Sequence, residues 1–397
     1  MIWAIIALVA CVPKPATVEG LDGLPIAAAI VAPVDATELL RQFSVDGEPG
    51  GRARAIRVLT ALDAGALGAE AAERGLADDD PWVQRATVDG LAVRRADPAV
   101  RGRLLAFLAD GNADPYVRAH VAAVLLPAAT EAERAALVAL LDVALTTERA
   151  GWRRTPLLWA RARLGDARAG EELRRRVAAG EVAMDLEFLA EVPTGPDPAL
   201  GAAFGAGAEA MEELALPFRA AQLAMGDPAG EVALRRVLVE GAVEARLEVL
   251  DAIAPLSGGG VDGLLRKAGA DDDELVRGYA RVLLAVRGLG DAADVERAAA
   301  AQDRDLRVVA VRWVGRADPV LGKRIERSAR RIVRSALVDG DAEVRAAAMI
   351  AAPGVLGVED LDKLRAALAD DSPPVRVAAA EAVYRLSHDP AARALGR

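Results

Sequence analysis

The sequence predicts an all-α protein, an α-solenoid of roughly ten two-helix repeats. Three observations lead there. A pattern of Asp, two variable residues, Val-Arg, two variable, Ala, two variable and Ala-Leu keeps returning, as in "DAEVRAAAMIAA" at 341–352. Hydrophobic residues make up 53% of the chain but aromatics only 3%, so a core has to be assembled from Ala, Leu and Val, which suit close-packed helices better than sheets. A core that lengthens by adding units also accommodates 397 residues without thickening.

Within the pattern, Val, Ala and Ala-Leu fall at i, i+4 and i+7/i+8, which is one stripe of a helix and cannot be one face of a strand. The clear copies are Asp80-Val83-Gln84-Thr87-Leu91, Asp114-Val117-Arg118-Val121-Leu125, Asp273-Val276-Arg277-Ala280-Leu284, Asp303-Leu306-Arg307-Ala310-Val314, Asp341-Val344-Arg345-Ala348 and Val375-Arg376-Ala379-Ala382-Val383. Weaker copies sit near Arg52, Trp152, Phe218 and Val243. Alanine on the stripe lets a neighbouring helix approach closely. The Asp can accept from the free N–H groups of the first turn, and its charge suits the positive end of the helix dipole. The Arg opposes that dipole and so calls for a carboxylate. The Asp of its own or the adjoining repeat would supply one, giving a ladder that locks unit to unit.

Between the copies lie second helical segments, at 98–110, 130–145 and 357–370, and turns carrying Gly-Asp or Asp-Pro, at 164–170, 225–230 and 316–322. Each helix is too short to be stable alone, so stacking has to supply its burial. The Gly-rich "GPDPALGAAFGAGAEA" makes the region near 193–210 the expected hinge. The acidic runs at 78–80 and 271–274 lack the spaced ligands of a calcium loop and read as helix caps.

This pattern resembles the HEAT-like repeats typified by phycobilisome-lyase proteins, over roughly residues 45 to 390. The resemblance implies a solenoid of HEAT-like helix pairs whose concave face, lined by the Asp-Val-Arg helices, holds a protein partner.

The amino terminus carries a different signal. "MIWAIIALVA" is uncharged, too short to span a bilayer and about right for a signal peptide, residues 1–10. Leu8-Val9-Ala10-Cys11 resembles a bacterial lipobox, which implies lipidation of Cys11, the only cysteine. Residues 11–35 then read as a flexible tether and 36–397 as the solenoid. Val12-Pro13 lacks the Asp that retains enteric lipoproteins at the inner membrane, so the resemblance leans towards the outer membrane, facing the periplasm.

Catalytic chemistry finds little support. A formal net charge of −10 opposes general nucleic-acid binding. Of the two histidines, His120 precedes Val121 and His388 precedes Asp389, so the His-Glu pairs of iron-binding repeat enzymes are missing. His120 reads as a helix-surface or interface residue and His388 as a turn residue. Gly258 to Gly263 matches GxGxxG, but a helical stretch precedes it where a strand is required. No catalytic residue, metal, cofactor or small-molecule substrate is assigned.

Two surfaces stand out for a protein partner. Lys323, Arg327, Arg330 and Arg334 line one helix face. Trp82 and Tyr116 occupy the same slot in successive repeats, with Trp152 one place later, and read either as a docking strip or as staples of helix starts. Trp159 and Trp313 fall on core stripes. The expectation is a non-catalytic, lipid-anchored scaffold in the bacterial envelope. The alternative is a cytoplasmic lyase-like repeat enzyme acting on a protein-bound chromophore.

Overall fold

The computed structural model describes residues 35–148, 151–181, 197–211, 215–316 and 319–388, without the side chains of 151–152 and 319–325. Among the described residues there are 21 α-helices and no strand, so the chain is an all-α solenoid. The leading helices are α1 (Ala36–Asp46), α3 (Ala66–Leu76), α5 (Pro98–Ala109), α7 (Glu131–Thr147), α9 (Ala167–Ala178), α10 (Pro198–Ala210), α12 (Pro228–Glu240), α14 (Gly259–Ala268), α16 (Ala292–Ala299), α18 (Pro319–Ala336) and α20 (Leu361–Ala366). The motif helices are α2 (Pro49–Leu62), α4 (Pro81–Ala92), α6 (Pro115–Leu125), α8 (Gly151–Arg163), α11 (Ala215–Ala224), α13 (Val243–Ile253), α15 (Glu274–Val286), α17 (Arg304–Val314), α19 (Ala342–Val355) and α21 (Pro373–His388).

Local chemistry explains where these helices begin. Asp80, Asp97, Asp114, Asp197 and Asp227 each cap a helix through a side-chain oxygen and are each followed by a proline in the first turn. The cap satisfies an otherwise orphan N–H, and proline's missing N–H costs nothing there. Asp273, Asp303 and Asp341 cap their helices without proline. A capping box of Thr130 and Glu133 starts α7. Gly258, at φ +118, makes the turn into α14, and the segment before it is helix α13.

The Asp–Arg ladder exists, with a different aspartate as acceptor. The motif Asp is occupied as a cap. At four joints the Arg in the motif position reaches the next repeat and binds the Asp two residues ahead of that repeat's cap. Arg52 holds Asp78 at 2.9 Å, Arg246 holds Asp271 at 2.9 Å, Arg307 holds Asp339 at 2.9 Å and Arg345 holds Asp370 at 2.8 Å. Each of these aspartates also accepts the backbone N–H of the cap residue, from Asp80, Asp273, Asp341 and Ser372 respectively. One carboxylate thereby fixes a helix start and the preceding repeat at once. At Arg307, Arg345 and Arg376 the guanidinium also donates to two carbonyls of the turn before its own helix, which offsets the adverse dipole. Among the described residues the ladder lacks rungs at Gln84, whose amide turns back to the Asp78 carbonyl, at Arg118, which donates to the Leu108 carbonyl, and at Arg277, which donates to the Asp271 and Asp272 carbonyls.

Stacking is tightest between α2 and α4. A methyl group on Gly90 would collide with Thr60 Oγ1 and the Arg57 carbonyl, so only glycine admits this approach. In the region expected to be a hinge, residues 198–210 form a helix, capped by Asp197, that buries Leu200 and Phe204 and packs against α9 and α11. Residues 193–196 lie outside the described residues, as do the proposed signal peptide and the tether as far as residue 34.

The row of motif helices closes on itself. Helix contacts run from α2 through α4, α6 and α8, across α9 and α10, and on through α11, α13, α15, α17 and α19 to α21. Helix α21 then packs against α1 and α2. The core records the same closure: Leu39, Leu40, Val58 and Leu59 share one apolar cluster with Val375, Val383 and Leu386, whereas residues between Ala72 and Met225 form another. Along α21, Val375, Val377 to Tyr384 and Leu386 are buried, so both flanks of this helix are covered.

Candidate functional site

Trp82 and Tyr116 sit at the second position of α4 and α6, directly after the Asp cap and Pro that start each helix. The shared slot brings the rings together, edge to face at 6.4 Å between centroids. Between them lies Arg85, its guanidinium 5.6 Å from the Trp82 centroid and 5.3 Å from that of Tyr116, and hydrogen-bonded to the Tyr116 hydroxyl. Arg85 is buried while Trp82 stays 39% exposed. The rings therefore cover a cation on one side and present apolar surface on the other. Stacking of this kind holds the indole rigid, as a binding anchor requires. The Trp152 side chain lies outside the described residues, as does Cys11.

The basic face of α18 is mostly engaged. Arg334 donates to both oxygens of Asp360 and lies near Glu359, while Arg330 contacts Glu326 at 3.0 Å and Glu359 at 3.6 Å. These arginines clamp α18 to the turn that opens α20. Arg327 is exposed, and the Lys323 side chain lies outside the described residues. A helix-wheel reading sees only the helix's own charges, and the carboxylates that meet this face come from the next repeat.

His120 is an interface residue, buried and 2.7 Å from Asp89 across the α4–α6 contact. His388 lies in the last turn of α21, stacked on Tyr384 at 4.2 Å. Trp159 and Trp313 are buried, as their stripe positions predict. Among the described residues no group of three or more His, Cys, Asp or Glu is placed to hold a metal ion, and no helix is long and apolar enough to cross a membrane.

The sequence pattern missed a polar cluster where the row closes. Arg54, Arg57 and Arg385 converge on the buried Glu381 at 2.8, 3.4 and 2.9 Å. Burial alone would raise the Glu381 pKa, but Arg385, Arg54 and Arg57 overcome it and hold the carboxyl down at about 2. Just beyond the end of α17, burial and the neighbouring charge of Arg312 push Arg316 down to about 10, with Arg57 adding to the repulsion. Arg316 lies over Trp313, and Tyr279 donates to Asp251 at 2.6 Å. Burial raises the Asp251 pKa. No short motif marks these positions. The only hint is a Glu and several Arg on otherwise apolar stripes.

No family model matches the chain, and no curated protein does either. Among solved structures, the crystal structure of an engineered protein from a structural genomics consortium aligns with 89% of this chain and 99% of its own, at 17% identity and a TM-score of 0.33.

Proposed function

We propose that this chain is a non-catalytic scaffold that docks a protein segment on the Trp82–Tyr116 edge and is held to a bacterial envelope membrane by lipid on Cys11. The observation that carries the docking reading is the exposed, rigidly stacked Trp82 in a chain that uses aromatics sparingly. The edge lies at the starts of the motif helices, the row on which a HEAT-like repeat protein would hold its partner. An apolar partner side chain would pack on the indole, while Arg85 behind it fixes the ring's tilt. On α18, Arg327 and the Glu296-paired Arg331 are the exposed cations among the described side chains. The lipid anchor rests on the lipobox-like Leu8-Val9-Ala10-Cys11, and the outer membrane is the proposed address.

A photo-crosslinking residue at position 82 of the full chain, expressed in a bacterial host, tests the docking surface. A discrete adduct is expected, competed away by unlabelled parent protein and not by the Trp82→Ala/Tyr116→Ala variant. An adduct competed equally well by both proteins would remove the surface. Fatty-acid labelling of the parent and of Cys11→Ser tests the anchor, with label and membrane fractionation expected only in the parent.

A further inference from the structure

We propose that a cleft between the end of α8 and the starts of α9 and α10 is a binding site for a small organic carboxylate with an apolar body. The cleft measures about 540 Å³ and lies where the row passes across α9 and α10 instead of from one motif helix to the next. That volume is within the range of ordinary ligand sites. Among the described residues its charged lining consists of Arg163, Arg174, Asp166 and Asp197.

The two arginines are the groups that a bound acid would satisfy. Arg163, the last residue of α8, lies over the Trp159 ring at 5.1 Å from its centroid, and its Nη1 is buried with no acceptor. A buried donor left without an acceptor is costly, and a charged one more so. Arg163 pairs with no carboxylate, so burial lowers its pKa with no counter-charge to restore it. Arg174 turns back along α9 over Gly170, where an added methyl would stand 3.6 Å from Arg174 Nη1 and 3.8 Å from the Ala162 side chain. This bare position lets the second guanidinium lie beside the end of α8, and it too makes no hydrogen bond or ion pair.

The aspartates are committed elsewhere. Asp166 accepts from the Arg168 and Ala169 N–H groups and meets Arg161 at 3.4 Å, while Asp197 accepts from the Leu200 N–H. They nevertheless set the charge of the ligand. A single carboxylate matches the planar edge of one guanidinium, whereas a phosphate dianion would be repelled by both aspartates. The rest of the lining includes Ala162, Ala167, Leu173, Pro198 and Leu200, so a hydrocarbon body has apolar surface to meet.

Ligand-detected NMR titration of the full chain with benzoate, and with benzamide as its uncharged counterpart, tests the site. One saturable site is expected for benzoate, with benzamide weaker by about tenfold or more, the factor that loss of a charge-assisted hydrogen bond brings. Arg163→Gln and Arg174→Gln should each weaken benzoate to a similar extent, and Arg236→Gln, exposed on α12, should bind it as the parent does. If Arg163→Gln fails to keep the parent's circular dichroism, the half-buried Arg174→Gln decides alone. A parent without saturable benzoate binding, benzamide bound as tightly as benzoate, or an Arg174→Gln variant that binds benzoate as the parent does would overturn the proposal.

Discussion

The joint between α17 and α19 and the seam between α21 and α2 both set arginine against a carboxylate, yet they work differently. At the joint, Arg307 binds Asp339 on a partly wet rim, 32 residues downstream, and the same arrangement recurs at three other joints. At the seam, Glu381 meets Arg54 at a separation of 327 residues, inside the body of the molecule and with no second copy among the described residues. A rung of the ladder joins neighbours that the apolar stripe would bring together anyway, so it adjusts register. The seam joins helices more than 300 residues apart in the chain, and no local rule requires them to meet. Distributed, half-exposed pairs refine a stack, whereas one buried cluster decides whether the stack closes.

The largest effect should come from Glu381→Ala, which leaves three guanidiniums buried without their shared counter-charge. Breaking a buried pair in this way costs about 3–5 kcal/mol. Urea denaturation should show a loss of that order, and hydrogen exchange should speed up in α1, α2 and α21 before it does in α15. Uniform acceleration round the whole row would show that the seam is no weaker and no more decisive than any other joint.

Acid should act next. The folded Glu381 carboxyl sits at about 2 against an ordinary 4.5, so its contribution is complete above pH 4.5 and is lost as pH falls from there towards 2. The shift corresponds to stability on the order of 3 kcal/mol. Glu381→Gln should flatten that limb of the stability–pH curve. A limb unchanged in the variant would assign acid sensitivity to the ladder aspartates instead, since Asp370, through its hydrogen bond from Arg345, is also held below its ordinary value.

The smallest effect belongs to a rung. Arg345→Ala should cost about 1–2 kcal/mol, because the pair is partly solvated and Asp370 keeps the Ser372 N–H. Arg345→Lys should recover little of it, since an ammonium cannot grip both carboxylate oxygens and two turn carbonyls together. A loss as large as that of Glu381→Ala would erase the distinction between joint and seam.

Much of the fold was legible because periodicity is local. The stripe Val344, Ala348, Ala352 reports a helix flank, and Asp341 reports its start, without reference to anything distant. The aromatic edge was legible for the same reason, since equal slots in adjacent repeats must lie side by side. The ladder was legible in kind but not in detail: which of the aspartates at 339 and 341 meets Arg307 depends on the offset between stacked helices. For Arg330 and Arg334 the basic-face reading lacked their partners, Glu359 and Asp360, which belong to another helix pair. Closure was hidden altogether, since nothing near Glu381 in sequence announces Arg54.

Closure also bears on how such a molecule can change over evolutionary time. An open array can gain a unit by duplication of a short gene segment, and each intermediate length folds as well as the last. Here the final helix must return to the first, so the number of units is tied to the curvature that each contributes. A single added or deleted unit would leave a gap or an overlap, and only a compensating change of twist spread over all the others could absorb it. Divergence is thereby steered away from length and into the loops and outward-facing side chains.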